Sequence, residues 1–406
     1  MQTTRGPRRA RIRDRGPGAG EPRMRITAVT TTPLAVPFVQ PYHWRSGVQR
    51  GANLVLFGVE TDAGVTGYGE SICEEPAAVE SYGALMARAF VGRSPGDVEA
   101  ILGDLWRDGR WRFTPRFSQQ VLSGLEVACW DALGKGLGVP ASTFFGGRVA
   151  SEIDFMGFPQ GDTPEELARH AAELAAEGHR VIYVKVGRAG RDDEDIVAAV
   201  REAVGPEPLL RIDANEAWDV PTAVDSIRRL QPYGLDWVEQ PVAAGNVSGL
   251  ARVRRSVGVK IAADQAVHTT AELRAVLEQE AADAVVIGSH ESGGLWRLRQ
   301  MAYLAEAHGI PLNRHGCIES AISTFAGLQV AACIPNLTLG NQLMHHLLAE
   351  SLVRVPPELA AGRSPVPDEP GLGFELDDEA IARARERHER QGPYAAVDPV
   401  DTGELG

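Results

Sequence analysis

The sequence predicts a parallel α/β barrel behind a smaller α+β region, and three observations predict it. Strand-like and helix-like runs alternate from Ile153 onward, through Phe155, Tyr183–Lys185, Leu210–Asp213, Trp237–Glu239, Ile261–Asp264, Ala284–Gly288 and Pro311–His315. Four of these runs close on a charged residue, Lys185, Asp213, Glu239 and Asp264, at spacings of 28, 26 and 25 residues. That is the length of one strand and one returning helix. The segments between them (164–177, 192–204, 221–232 and 271–280) are amphipathic and are capped by Thr, Asp or Ser. A doubly wound sheet also alternates, but so regular a period over seven or eight units favours closure into a barrel.

The front of the chain lacks this alternation. Ile26 to Phe38, then Asn53–Glu60, then Val65–Glu70 after the turn Asp62-Ala63-Gly64, predict a three-stranded antiparallel meander. The loop from Gln40 to Gly47 carries Tyr42, His43, Trp44 and Arg45. It is either a solvated turn or a lid over a polar substrate, with Arg45 clamping a carboxylate and His43 meeting hydroxyls. Helices follow at 76–92, 97–107 and Ser118–Leu137, the last stopped by Gly136-Leu137-Gly138-Val139-Pro140. A domain boundary falls near Gly146-Gly147, giving a front domain at 24–148 and the barrel at 149–350. Residues 1–23, rich in Arg, Gly and Pro without an apolar stretch, read as a disordered leader, with Met24 as an alternative start. Residues 351–406 leave the alternation; Pro365–Pro370 is an irregular segment turning back toward the front domain, and the end is poorly ordered.

Composition narrows the function. The 44% apolar and 23% charged fractions over 406 residues are those of a soluble globular chain. A net charge of −13 argues against nucleic acid and anionic membranes as partners. Cys73, Cys129, Cys317 and Cys333 are far apart with no CxxC spacing, which suits a reducing cytoplasm. No run approaches the ~18 apolar residues of a membrane span. Neither GxGxxG nor GxxxxGK[ST] is present, so no nucleotide loop is signalled.

Strand ends of a parallel barrel share one mouth. Asp213, Glu239 and Asp264 each close an apolar run there, and three acids in one mouth repel unless a hard dication holds them. A chain with 54 acids produces some regular spacings by chance, yet all three sit one unit apart. Oxygen donors alone favour Mg²⁺, with Mn²⁺ the alternative, over Zn²⁺. Asn215 and Gln265 follow two of the ligands and would orient them or a water. Lys185 either pairs with one of the acids or acts as a base, its pKa lowered by the cation. His315 ends the next-to-last strand, across the mouth, as a second acid/base. Glu319, four residues on, reads as a substrate contact or a support for the site; His290 and Glu291 are loop residues near the mouth.

Taken jointly, these motifs resemble the enolase superfamily, and within it the mandelate racemase/muconate lactonizing group. The resemblance spans about 24–385 and is carried by Gly67-Tyr68-Gly69-Glu70, Trp130–Lys135 with Phe145-Gly146-Gly147, Tyr183–Gly187, Asp213-Ala214-Asn215, Val238–Pro241, Ala263-Asp264-Gln265 and Ser292-Gly293-Gly294. It implies an α+β capping domain on a modified (β/α)₇β TIM barrel, with C-terminal residues rejoining the cap. It implies Mg²⁺-assisted removal of the proton α to a small substrate's carboxylate, and a homo-oligomer, dimer or octamer. Three departures stand out. The family's KxK is Tyr183-Val184-Lys185, leaving one lysine and placing Tyr183 toward the substrate; Gln265 replaces a frequent carboxylate; and Gly288 stands where racemase-like members carry the Asp that orients the histidine, or lactonizing members a second lysine. The expectation is racemisation, epimerisation or dehydration of a hydroxy acid or acid sugar by Lys185 and His315. The alternatives are cycloisomerisation by Lys185 alone, a Schiff-base aldolase, or a metal- and ligand-binding homologue without turnover.

Overall fold

The computed structural model describes residues 24–395 except 74, 108–110 and 112–113; the expected leader 1–23 and the chain end beyond 395 lie outside the described residues. Strands β1 (Ile26–Trp44), β2 (Gly47–Thr61) and β3 (Thr66–Cys73) form the meander. The stretch expected as a loop at 40–47 is instead the far end of the β1–β2 hairpin, paired again at Tyr42↔Gln49 and Trp44↔Gly47 after a register shift beyond Pro37. Pro37 and Pro41 have no N–H to give the ladder, so the strand breaks register there without ending.

Helices α1 (Pro76–Phe90), α2 (Val98–Arg107) and α3 (Pro115–Leu137) complete the cap. The Gly-Tyr-Gly motif of β3 exists for packing. A Cβ at Gly67 would run into the backbone of Ala128 and Ala132, and one at Gly69 into Gly124, so α3 lies directly on the strand.

After β4 (Glu152–Asp154) and α4 (Pro164–Ala176) come β5 (Val181–Lys185), α5 (Asp193–Val204), β6 (Leu209–Asp213), α6 (Val220–Leu230), β7 (Leu235–Glu239), α7 (Val247–Ser256), β8 (Lys260–Ala263), α8 (Thr270–Glu278), β9 (Ala284–Ile287), α9 (Ser289–Ser292), α10 (Leu295–Ala307), β10 (Leu312–Arg314) and α11 (Ala321–Ala331). Strands β5 to β10 form one parallel sheet in sequence order. Bridges Gly157↔Ile182, Phe155↔Asn341 and Leu312↔Leu337 join its two edges through the segments at 155–157 and 337–341, closing the modified barrel at eight positions. The register pairs Lys185 with Asp213 and Asp213 with Glu239. Paired residues of a parallel ladder point to the same face, so the charged ends meet.

The cap is seated by buried carboxylates at helix N-termini, where free amides and the helix dipole favour an anion. Glu70 of β3 accepts from Ser320 N (2.9 Å), Ser320 Oγ (2.6 Å) and Ser323 N (3.2 Å) at the start of α11. Glu126 of α3 accepts from Leu295 N and Trp296 N, both at 2.8 Å, opening α10, and from Trp130 Nε1 at 2.6 Å. Gly294 leaves the space, since a Cβ there would strike the Glu126 carboxylate. Burial pushes both carboxyls up to about 7 in spite of these donors. The C-terminal residues close the cap from the other side. Short β11 (Arg363–Pro365) first pairs with β4 where the barrel segment begins; on the cap, Ala349 N donates to Pro37 O, and α12 (Asp378–Gln391) packs on β1 with Arg387 Nη1 2.7 Å from Ala35 O.

Glu126→Ala removes the acceptor of two helix-start amides and one indole, and is expected to cost about 2–4 kcal/mol. Thermal unfolding will show a lowered midpoint, with Glu126→Gln, which keeps one acceptor oxygen, falling between it and the parent. Unchanged unfolding in the alanine variant would contradict this role.

Candidate active site

A cavity of about 360 Å³ lies between the barrel mouth and the β1–β2 hairpin. Lys185, Asn215, Asp264, Gln265 and His315 line its floor; Tyr42, Trp44 and Arg45 come from the hairpin; Met156, Phe158, Leu343 and Met344 form an apolar wall.

Its charged groups are tightly interlocked. Lys185 Nζ is 2.5 Å from Asp213 Oδ2, 2.8 Å from Asn215 Oδ1 and 3.3 Å from the Tyr183 hydroxyl. Tyr183 stands between two acids, 2.6 Å from Asp213 Oδ2 and 2.9 Å from Glu239 Oε1. One phenol proton cannot serve both, so one carboxyl carries a proton of its own. Glu239 suits that role: burial first, then repulsion from Asp213 and Asp264, push it up to about 8. Asp264 is pushed up to about 7, again chiefly by burial. Its Oδ2 takes the Gln265 amide.

His315 Nδ1 lies 2.7 Å from Glu291 Oε1 and 3.9 Å from Asp264 Oδ1. Burial opposes the imidazolium, but Asp264 and Glu291 outweigh it and push the ring up to about 10. Burial would raise Glu291 too, yet the charge and hydrogen bond of His315 hold it well below the usual carboxylate range. For Lys185, burial is likewise outweighed, by Asp213 with Tyr42 and Glu239 behind it, and the ammonium is held well above its ordinary value. This is the direction that Asp213 sets from across the site; the lowering expected from sequence belongs to a site with the cation in place.

Two cations therefore face four acids, Asp213, Glu239, Asp264 and Glu291. Glu239 Oε2 is buried with no hydrogen-bond partner among the described residues. Even with Glu239 protonated the acids outnumber the cations, and this residual negative charge, an orphaned carboxyl oxygen and an all-oxygen donor set fit a hard dication, which would displace that proton. As the side chains lie, no group of three or more His, Cys, Asp or Glu among the described residues is arranged to hold a metal. Asp213 is turned onto Tyr183 and Lys185, so seating a cation requires those bonds to be exchanged.

Other expected residues are placed as follows. Asn215 reaches the cavity, and its carbonyl accepts from Arg45 Nη1 at 2.7 Å. Arg45 thus pins the hairpin tip to the barrel. His43 is a correction: it turns out of the cavity toward Asp162, at 3.5 Å. Glu319 is another. It is fully buried in a two-point pair with Arg314, 2.7 Å at each oxygen, and does not line the cavity; an Arg one residue before His315 claimed it. The sequence alone places Glu291 only in a loop near the mouth. Its signal was a carboxylate three residues after the blank at Gly288, one helical turn away.

Two family patterns cover most of the chain. Residues 26–146 match the mandelate racemase/muconate lactonizing enzyme N-terminal domain, and residues 166–380 the enolase C-terminal domain-like family. The chain belongs to the enolase superfamily, in its mandelate racemase/muconate lactonizing group. It is 31% identical to muconate cycloisomerase 1 of Rhodococcus opacus over 88% of this chain and 97% of that one. It is 30% identical to D-galactarolactone cycloisomerase of Agrobacterium fabrum, covering 89% and 99%. The crystal structure of the N-succinyl Arg/Lys racemase of Bacillus cereus superposes with a TM-score of 0.83 at 25% identity, over 89% of this chain and 98% of that one. Among the described residues no helix is long and apolar enough to cross a membrane.

In a chelator-containing buffer, Lys185→Met leaves the buried Asp213 without its cation and is expected to destabilise this enolase-superfamily chain by about 3 kcal/mol. Lys185→Met combined with Asp213→Asn is expected to recover most of that loss. Denaturant unfolding of the two single variants and the pair measures the coupling; simple additivity would contradict it.

Proposed function

We propose that the protein enolises a small carboxylate, removing the proton α to the carboxyl group, and then racemises, epimerises or dehydrates the product. The observation that carries this reading is that Lys185 and His315 enter one cavity from β5 and β10, the two outer strands of the six-strand run, with the buried acids between them. In racemisation one of the pair takes the proton and the other returns it on the opposite face; in dehydration the second group protonates a departing β-hydroxyl. Asp213, Glu239 and Asp264 would hold Mg²⁺ or Mn²⁺, which when bound supplies the positive charge that makes the neighbouring C–H acidic and stabilises the enolate. Lys185 can accept a proton only when released from Asp213. Asn215, already 2.8 Å from Nζ, keeps the amine aimed during that exchange.

The wall of Met156, Phe158, Leu343 and Met344 supports a substrate with an apolar portion beside its carboxylate. A hydroxy-acid substrate draws support from the galactarolactone relative and less from the hairpin, since His43 faces away. Cycloisomerisation by Lys185 alone is the second reading, favoured by the 31% identity to a muconate cycloisomerase.

Incubation with Mg²⁺ in D₂O across a library of hydroxy, acylamino and sugar acids is expected to give α-deuteration. That exchange should fall at least about 100-fold in Lys185→Met and in His315→Asn. Loss in the lysine variant alone would favour cycloisomerisation. Absence of exchange across the library, with the metal bound, would overturn the proposal.

A further inference from the structure

Gly288 is unexplained by its backbone: φ −112° and ψ 171° are extended values open to any residue. Its surroundings explain it. A Cβ at 288 would run into Glu291 Oε2, and would lie 2.9 Å from His315 O and 3.2 Å from His315 Cβ. The missing side chain is the space that the Glu291 carboxylate occupies.

The turn that brings Glu291 there is built for it. Gly288 caps the four-residue helix α9, and its carbonyl accepts from Ser292 N at 3.1 Å and Ser292 Oγ at 2.7 Å. Gly293, in the left-handed region at φ 86°, ends the turn, and Gly294 N returns to Ser289 O at 2.8 Å. One tight turn thus carries a carboxylate from the strand end back over it, to 2.7 Å from His315 Nδ1, with only 11% of the glutamate side chain exposed.

We infer that Glu291 is the positioning residue of His315, admitted by the absence of a side chain at Gly288, and that the two positions are interchangeable sites for one carboxylate. Its catalytic consequence rests on the enolising reading; the geometry does not. With Nδ1 donating to Glu291, the ring is fixed in rotation and, once Nε2 gives up its proton, in tautomer; Nε2, which makes no hydrogen bond among the described residues, is the nitrogen presented to a molecule in the cavity. A side chain at 288 starts close enough to the ring for an aspartate to reach it once Glu291 is removed and the His315 carbonyl, 2.9 Å from that Cβ, gives way by a few tenths of an ångström.

The test is a proton NMR measurement on the full chain without substrate, so failure of the enolising reading leaves it intact. A downfield Nδ1–H resonance that disappears in H315N is expected in the parent protein. It should vanish in E291A, weaken or move upfield in the near-isosteric E291Q, and return in G288D/E291A. G288D alone, with both carboxylates forced into one space, should disturb it. For any acid that exchanges in the D₂O screen, E291A should lower kcat at least 10-fold with KM little changed, and G288D/E291A should recover part of the loss. The inference is overturned if the parent shows no His315-dependent resonance, or if the resonance survives in E291A. It is also overturned if G288D/E291A unfolds as cooperatively as the parent yet fails to restore the resonance.

Discussion

Four carboxylates buried at one end of the barrel, facing two cations, are the constraint on which the active site depends. Each costs several kcal/mol to desolvate, and mutual repulsion adds to that. The structure answers in part, with Lys185 on Asp213, His315 between Glu291 and Asp264, and the Tyr183 hydroxyl shared by Asp213 and Glu239. The remainder shows as carboxyls driven up to about 8 and about 7 at Glu239 and Asp264. Burial drives the structural Glu70 and Glu126 about as far, so what marks a functional site here is the added repulsion among Asp213, Glu239 and Asp264.

The cap supplies the contrast. Glu70, Glu126 and Asp131 are as deeply buried, yet each is surrounded by donors: the amides opening α11, those opening α10 with the Trp130 indole, and Tyr68 N, Leu372 N and Lys135 Nζ respectively. Their acceptor capacity is used, and their task is to seat helices against the meander. Glu239 Oε2, by contrast, has no partner among the described residues. The same side-chain type therefore does two jobs, told apart by whether the protein completes its hydrogen bonds. The β1–β2 hairpin links the two regions, through Arg45 on the Asn215 carbonyl.

Much of this was legible in the sequence because it rests on periodicity. The spacing of Lys185, Asp213, Glu239 and Asp264 translated directly into strand ends at one mouth, since parallel register is set by unit length. What failed depended on where a side chain turns. His43 sits in β1 between Tyr42 and Trp44, which both line the cavity, so alternation sends it to the other face, whereas Arg45 lies past the strand end, in the turn, and reaches the cavity. Glu319 was claimed by Arg314, an ion pair that spacing does not reveal. The contact of Glu291 is not legible from spacing because a single helical turn makes it, and its signal is the emptiness of position 288 as much as the carboxylate itself.

The most direct measurement is anomalous diffraction from crystals grown with Mn²⁺, the heavier of the two cations proposed. The account predicts one peak about 2.0–2.3 Å from carboxylate oxygens of Asp213, Glu239 and Asp264, with Lys185 released from Asp213. Crystals that keep the Tyr183–Asp213–Lys185 contacts, and show no peak at the mouth at saturating Mn²⁺, would contradict it.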